Sequence, residues 1–210
     1  MNHPASTLTG PQLAALAKIA CGVEAGGVAL LCGPAGVGKT TALERLAIDV
    51  RFAADEPPIQ DVATWLSTTG DLPPIVLADD AHLASEQDLA RLLTRAKARR
   101  PAAAVILAGQ GRLFTLVARD RRIEQAVRIR AALLPGSLAD TAAIVTAASA
   151  DGPRVAEEAI VAIHEIAGGV PGDVVRLAAL AAMVAAASAD GLVTADDVEA
   201  VHRRLVLTAA

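Results

Sequence analysis

The chain has 210 residues, of which 53% are hydrophobic and 1% aromatic, and its formal net charge is −4 at pH 7. This length and apolar content suffice for one large or two small domains whose core consists of Ala, Val, Leu and Ile. The negative net charge argues against a protein that coats nucleic acid with its whole surface, although a local basic patch is compatible with it.

No segment of the sequence has the features of a targeting or membrane-spanning element. Residues 1–7 lack the basic and apolar regions of a signal peptide, and the Ala-rich run 177–189 is too short and too weakly hydrophobic to span a bilayer. We therefore expect a cytoplasmic protein without membrane insertion. The only cysteines, Cys21 and Cys32, lie among apolar residues and suggest no disulfide framework. Cys32 is either a small buried hydrophobe or a redox-active thiol.

The first predicted elements are a helix, a buried strand and a glycine-rich loop. Thr9 is suited to cap a helix over 12–20, and the apolar run 28–31 predicts a strand. The segment 33–40 then fills the pattern G-x-x-x-x-G-K-[ST] completely, and a helix-forming run follows over 41–48. The order of strand, loop and helix is the setting in which this pattern binds phosphate, whereas a chance match would be a plain glycine-rich turn.

The chemistry of this loop fits a polyphosphate. Its glycines allow the backbone N–H groups to point inward, and the N-terminal end of the following helix adds positive potential at the same place. Lys39 would neutralise β- and γ-phosphate charge, and the Thr40 hydroxyl would be a ligand of Mg²⁺. The residues predicted to bind the nucleotide here are Gly33, Pro34, Ala35, Gly36, Val37, Gly38, Lys39, Thr40 and Thr41.

Two acidic residues follow the next clear strand. A short strand is predicted over 49–53 and a helix over 60–67, and the apolar run 75–78 then leads into Asp79 and Asp80. At the carboxyl end of a parallel strand, one carboxylate of such a pair can complete a magnesium shell while the other polarises an attacking water. We therefore expect Asp79 to bind the metal and Asp80 to be the catalytic base. The alternative is a pair of helix-capping residues.

The middle of the chain adds a basic helix and a third buried strand. Ser85 and the acids after it start a helix that ends near Arg100 in a cluster of Arg and Lys. That cluster is either a solvated helix end or a ligand patch. The strand 103–110 ends in Gln110, which we expect to project toward the same crevice as Asp79 and Asp80.

An arginine-rich segment leads into the last predicted strand. After a helix over 111–119, the segment 119–130 contains five arginines, and the strand is predicted to end near Pro135. These arginines are Arg119, Arg121, Arg122, Arg128 and Arg130. Solvated charge, contact with the phosphates of a neighbouring subunit, and contact with nucleic acid are all compatible with this pattern.

From Gly136 onward the pattern is helical. The segment from Ser137 to Asp140 has the form of a capping box. Helices are predicted over 137–150, 155–167, 173–189 and 194–207. We therefore predict two domains: an α/β nucleotide-binding domain over 1–135, with a parallel sheet sandwiched by helices, and a small all-helical domain over 136–210.

Together these motifs resemble the AAA+ ATPases, and specifically the small bacterial ATPases of the ExeA (general secretion pathway component A) type, to which the transposition ATPases TniB and MuB are related. The segment 31–41 resembles the Walker A motif. The segment 75–82 is similar to the Walker B strand, which in the family usually ends Asp-Glu-Ala-Gln. The segment 107–110 is similar to the end of the sensor 1 strand, and 167–171 to the turn that opens the sensor 2 helix. The resemblance covers nearly the whole chain.

The resemblance implies further site residues and two departures from the family pattern. It implies a catalytic role for Gln110, and it implies that Arg128 is an arginine finger offered to a neighbouring subunit's nucleotide. Gly172 stands where the family often has the sensor 2 arginine, and Arg176, about one helical turn further on, is the substitute for nucleotide contact. Asp80 replaces the usual glutamate and is one methylene shorter. Both departures imply slow ATP turnover.

The function implied by the resemblance is an AAA+ switch that binds ATP and Mg²⁺, hydrolyses ATP slowly and acts through a homo-oligomer on an unidentified protein partner. Two other functions stay open. One is an ATP-dependent DNA-binding regulator like the relatives in transposition, which the arginine clusters favour and the net negative charge opposes. The other is a nucleotide-binding adaptor without turnover, which Asp80 and Gly172 favour.

Overall fold

The computed structural model describes residues 8–24, 26–49, 58–150, 152–186 and 191–208. The chain divides into two compact units. One consists of Pro11–Leu134, and the other consists of the chain from Pro135 onward together with the residues up to Gly10.

The unit 11–134 contains a five-stranded, all-parallel sheet with the strand order β2-β3-β4-β1-β5. The strands are β1 (Gly27–Cys32), β2 (Ile59–Asp61), β3 (Ile75–Asp79), β4 (Ala104–Gly109) and β5 (Val127–Ala132). The helices are α1 (Gly10–Glu24), α2 (Lys39–Asp49), α3 (Val62–Ser67), α4 (Glu86–Arg99), α5 (Arg112–Arg119) and α6 (Arg121–Ala126). A short 3₁₀ turn, Ala81–Leu83, follows β3. The predicted fold class, a parallel sheet flanked by helices, is confirmed.

The core of this unit is aliphatic, as the near absence of aromatic residues predicts. Leu30 of β1 and Leu107 of β4 are paired in the ladder and completely buried. They belong to one apolar cluster with Leu89, Leu92 and Leu113, which come from α4 and α5. Strands buried in this way have no alternation of polar and apolar residues, which is typical of a parallel sheet covered by helices.

The edge strand β2 differs from the sequence-based expectation. Asp49 ends α2, and the rest of the strand predicted over 49–53 lies outside the described residues. The expected helix start at Gln60 is wrong, because residues 59–61 pair in parallel with 77–79 of β3. The helix begins only at Val62, where the Asp61 carboxylate accepts the Thr64 N–H at 2.6 Å. This bond holds the pKa of Asp61 below its usual range. Pairing with a distant strand therefore overrides the local helical pattern.

The second unit contains four helices and one pair of very short strands. The helices are α7 (Leu138–Ala148), α8 (Glu157–Ala167), α9 (Pro171–Ala185) and α10 (Ala195–Thr208). The strands β6 (Arg154–Val155) and β7 (Leu192–Val193) pair in parallel. They have two residues each, which is too short to produce an alternating pattern, so the sequence indicates only helices here.

The capping box predicted at the start of α7 is confirmed. The Ser137 hydroxyl accepts the Asp140 N–H, and the Asp140 carboxylate accepts the Ser137 N–H at 2.8 Å. The other carboxylate oxygen of Asp140 accepts the Gly10 N–H at 2.9 Å. These bonds, with that from Gly10 the strongest, lower the pKa of Asp140. Within the described residues, no helix has the length and apolar character needed to cross a membrane.

Arg95 of the basic helix α4 has a structural task. Its guanidinium donates hydrogen bonds to the carbonyl oxygens of Trp65, Leu66, Thr68 and Gly70. These carbonyls lie at and just beyond the C-terminal end of α3, where a helix leaves its last oxygens without partners. Arg95 is therefore not a freely solvated charge but caps the carboxyl end of α3.

We predict that Arg95→Lys lowers the free energy of unfolding by about 2 kcal/mol, because an ammonium cannot serve four carbonyls as the planar guanidinium does. Urea unfolding of the two proteins measures the difference. Arg91→Ala is the matched control on the same helix, since Arg91 has only an exposed ion pair with Asp88 and should cost at most about 0.5 kcal/mol. Equal midpoints for Arg95→Lys and the parent protein would contradict the capping role.

Candidate functional site

The predicted polar residues are collected at the carboxyl edge of the sheet. β4 lies between β1 and β3, so the ends of these three strands are neighbours. The Gly33 N–H donates to the Gly109 carbonyl at 3.1 Å, which places the start of the glycine-rich loop beside the end of β4. Gln110 follows Gly109 and is half-buried, and Asp79 ends β3 at the same edge. This is the edge at which open α/β sheets bind ligands.

The loop between β1 and α2 depends on two glycines. Gly36 and Gly38 have φ values of 74° and 89°, in the left-handed region that other residues seldom adopt. A Cβ added at Gly38 would collide with Nε2 of Gln12. Gln12 is buried on α1 and donates to the Val37 carbonyl at 3.1 Å. Gln12, which lies outside the G-x-x-x-x-G-K-[ST] pattern, therefore holds the turn in place.

Lys39 is buried inside the curl of the loop. Its residue exposure is 8%, and its ammonium donates to the carbonyl oxygens of Gly33 at 3.1 Å and Pro34 at 2.8 Å. Burial lowers the pKa of Lys39, and the nearby Asp79, Asp80 and Cys32 partly oppose that shift. A buried cation bonded only to carbonyls is well suited to exchange those bonds for a bound anion.

Thr40 and Asp79 form a pair of oxygen ligands. The Thr40 hydroxyl donates to Asp79 Oδ2 at 2.5 Å, although the two residues come from α2 and β3. Hydroxyl and carboxylate oxygens are ligands that Mg²⁺ prefers, and Mg²⁺ is usually held by one or two protein groups plus phosphate oxygens. The residues present therefore fit a magnesium ion bound together with a nucleotide.

Asp80 has an unusual backbone conformation. Its φ and ψ are 47° and 28°, and it is the one non-glycine residue with positive φ in the part of the chain that the structure describes. Its backbone N–H donates to Asp79 Oδ1 at 2.8 Å, and its side chain is 59% exposed. The carboxylate thus faces solvent beside the Thr40–Asp79 pair, while the 3₁₀ turn begins directly after it. Strained residues of this kind concentrate at functional sites.

Arg128 lies away from this group within the same unit. Arg128 is at the amino end of β5, next to Val127, which pairs with Val28 at the opposite end of β1 from the loop. Ala132, at the loop end of β5, is four residue steps from Arg128, which is about 13 Å along the strand. Its aliphatic stem lies over Gly27, where an added Cβ would be 2.9 Å from Arg128 Cδ.

Arg176 belongs to the helical unit and pairs with Asp173, one turn earlier on α9, at 3.1 Å. Its predicted contact with the nucleotide stays a prediction.

The structure also adds residues that the sequence analysis did not single out. Gln12 supports the loop, but it lies more than twenty residues before it in sequence, and no local pattern points to it. His82 is buried beside Asp80. Burial raises the pKa of the Cys32 thiol to about 11, so its reactive thiolate is scarce near neutral pH. This favours the packing interpretation of Cys32 over the redox one.

Comparison with known proteins finds a likeness in fold. No protein-family model matches the sequence, and no curated protein matches it. Solved structures do match. A mutant of Thermotoga maritima RuvB superposes with a TM-score of 0.69 at 18% identity, over 94% of this chain and 71% of that chain. The AAA domain of FIGL-1 gives a TM-score of 0.64 at 16% identity, over 92% of this chain and 80% of that chain.

The chain has the AAA+ P-loop NTPase fold. A closed state of Hsp104 with ATPγS and casein also carries it, with a TM-score of 0.62 at 17% identity, over 93% of this chain and 42% of that chain. All three identities are below 20%, so the likeness concerns the AAA+ fold alone. The narrower resemblance to the ExeA type has no support from these structures.

Proposed function

We propose that this protein binds ATP with Mg²⁺ at the loop 33–41, hydrolyses it slowly, and works as an AAA+ switch through a homo-oligomer that acts on a protein partner. The observation that carries the proposal is the 2.5 Å contact between the Thr40 hydroxyl and the Asp79 carboxylate, directly after a buried Lys39. This is the ligand pair that a nucleotide-bound Mg²⁺ requires.

Each residue of the edge has a distinct part in the proposed reaction. The loop N–H groups and the N-terminal end of α2 hold the phosphates, and Lys39 turns its ammonium from the loop carbonyls to the phosphate oxygens. A Mg²⁺ ion held by Thr40 and Asp79 would supply charge neutralisation at the β- and γ-phosphates. Asp80, the exposed carboxylate, accepts the proton of the attacking water. Gln110 follows β4, which lies between β1 and β3, and we assign it the role of orienting that water.

Two features support slow turnover. The Asp80 carboxylate is one methylene shorter than the glutamate usual in the family that the sequence resembles, so it needs a closer approach of the water. Arg176, the proposed substitute for the missing sensor 2 arginine at Gly172, is paired with Asp173 and would have to leave that ion pair to contact nucleotide. Within the AAA+ fold, the motif resemblance makes the ExeA type, with TniB and MuB, our proposed relatives.

We predict that Lys39→Ala weakens ATP binding about 100-fold and leaves the fold intact, because Lys39 supplies phosphate charge and no core volume. Circular dichroism of the variant checks the fold.

We predict that Asp80→Asn binds ATP like the parent protein and loses at least about 100-fold in phosphate release, since an amide cannot accept the water's proton. Asn also tolerates the left-handed conformation of Asp80, so the backbone is preserved.

Calorimetry and a phosphate-release assay separate these two effects. Equal turnover in Asp80→Asn and the parent protein would contradict the assignment of the base. A parent protein that binds ATP without releasing phosphate would instead favour the nucleotide-binding adaptor.

The proposed role of Arg128 requires a second copy of the chain. About 13 Å along β5 separates it from the loop end of the sheet in its own unit, which is more than an arginine side chain spans. Its side chain is exposed and has no ion pair or hydrogen bond with the described residues. It is therefore available to a neighbouring subunit's nucleotide, where a guanidinium stabilises charge on the transferred phosphoryl group.

We predict that Arg128→Ala retains ATP binding but loses about 1,000-fold in turnover. Turnover per chain of the parent protein should rise with protein concentration, because each complete site needs two chains. An equimolar mixture of Arg128→Ala with Lys39→Ala should regain part of the activity, since one chain supplies the loop and the other the arginine. A mixture that co-assembles in analytical ultracentrifugation and stays inactive would rule out this role.

DNA binding is the second candidate function, and one observation favours it. Four exposed arginines lie within ten residues on α6 and β5, and none has a side-chain hydrogen bond or ion pair with the described residues. They are Arg121, Arg122, Arg128 and Arg130. Arg119, in the same segment, differs from these four because it pairs with Glu86 at 3.2 Å.

We predict for this function that the parent protein shifts duplex DNA in an ATP-dependent and salt-dependent manner. The triple variant Arg121→Ala, Arg122→Ala, Arg130→Ala should lower the slope of log affinity against log salt by about 0.9 for each phosphate that it no longer neutralises. Arg45→Ala with Arg91→Ala is the control, because both of these arginines are in exposed ion pairs on other helices. No shift by the parent protein, or an equal slope in the triple variant, would exclude the basic surface as a DNA site.

A further inference from the structure

His82 has a buried nitrogen without a partner. The residue is only 7% exposed, and its Nδ1 is buried and makes no hydrogen bond. Buried polar atoms in native proteins are almost always hydrogen-bonded, so an exception calls for an explanation. A histidine that only filled space here would be better replaced by an apolar residue of similar shape.

The charged group beside this nitrogen is the Asp80 carboxylate. Nδ1 of His82 and Oδ1 of Asp80 are 3.8 Å apart, which is beyond hydrogen-bond range by less than 1 Å. The Asp80 side chain is 59% exposed, so it is free to change rotamer without displacing core atoms. A small rotation would close the gap.

The imidazole side of this pair is held in place. The His82 carbonyl accepts a hydrogen bond from Arg112, and the Leu83 N–H donates to the Asp80 carbonyl at 2.9 Å. The backbone of His82 packs on Gly109, where an added Cβ would lie 3.0 Å from His82 N and 3.1 Å from His82 Cβ. The turn is therefore wedged against the end of β4, and the exposed Asp80 carboxylate has more room to move than the buried imidazole.

We propose that His82 is the positioning residue for Asp80 in the nucleotide-bound protein. Nδ1–H of His82 donates to Oδ1 of Asp80, which fixes the carboxylate and leaves Oδ2 to accept the proton of the attacking water. The packing of a longer glutamate side chain would orient its carboxylate. For the shorter Asp80, this hydrogen bond provides the orientation. The inference rests on the proposed function, because it assigns a partner to the proposed base.

Two substitutions of His82 test the proposal. In His82→Asn the amide nitrogen lies near the place of Nδ1, so the N–H donor is preserved, whereas His82→Leu keeps the volume and removes the donor. We expect His82→Leu to lose 10- to 100-fold in kcat at unchanged ATP affinity, and His82→Asn to recover most of that loss. Thermal stability should be equal or higher in His82→Leu, because the unpartnered nitrogen is gone.

Nitrogen NMR of the His82 ring provides a readout besides activity. With Mg²⁺ and ATPγS, Nδ1 should give the signal of a protonated, hydrogen-bonded nitrogen, and this signal should change in Asp80→Gly, which fits the left-handed conformation and lacks the carboxylate. A ring signal that is identical in the two proteins, or kcat unchanged in His82→Leu, would overturn the positioning role alone. A parent protein without nucleotide affinity in calorimetry would overturn the proposed function, and this inference with it.

Discussion

The hydrogen bond between Thr40 and Asp79 depends on the order of the strands. β4 separates β1 from β3, so the first turn of α2 has to pass over the end of β4 to reach Asp79. Gly109 at that end carries no side chain, and the backbone of His82 occupies the space that a Cβ would take. The start of the glycine-rich loop, the turn after β3 and the start of α5 therefore meet at Gly109. A shift in the pairing of β3 with β4 would therefore move Asp79 and Asp80 together away from Lys39, Thr40 and Gln110.

The close packing at this edge of the sheet brings charged groups together. Lys39 is forced into the loop, where burial disfavours its charge, and the carboxylates of Asp79 and Asp80 partly restore it. In the structure, two carbonyl oxygens accept hydrogen bonds from the ammonium, and the nearby acids favour its charge. A polyphosphate would take over the role of the carboxylates toward Lys39 and release them toward a metal ion and a water. Binding of the polyphosphate would thus also free the carboxylates, so the same rearrangement of charge would prepare the site for catalysis.

The sequence predicted the parts of the structure that depend on neighbouring residues. The loop 33–40, the strand ending in Asp79 and the capping box at Ser137 are encoded within a few residues each, and the structure has all three elements at the expected places. The short strand β2 was missed because it exists only through pairing with β3. The roles of Gln12, Arg95 and His82 are not predicted for the same reason, although Arg95 belongs to the predicted basic cluster, because each residue contacts a segment from elsewhere in the chain. Long-range contacts leave no local periodicity to detect.

The edge strand β5 has a consequence for assembly. It pairs only with β1 in the described sheet, and the register shift at Arg128 bends it where an outer strand would have to join. Exposed arginines at alternate positions, Arg128 and Arg130, place like charges along the same strand. Bulges and charged side chains both oppose the addition of a foreign strand. The sheets of two copies of this chain are thus kept from joining at β5. Contacts between copies at this edge would be made by side chains. Such contacts weaken as salt is added, and they can break without unfolding either copy.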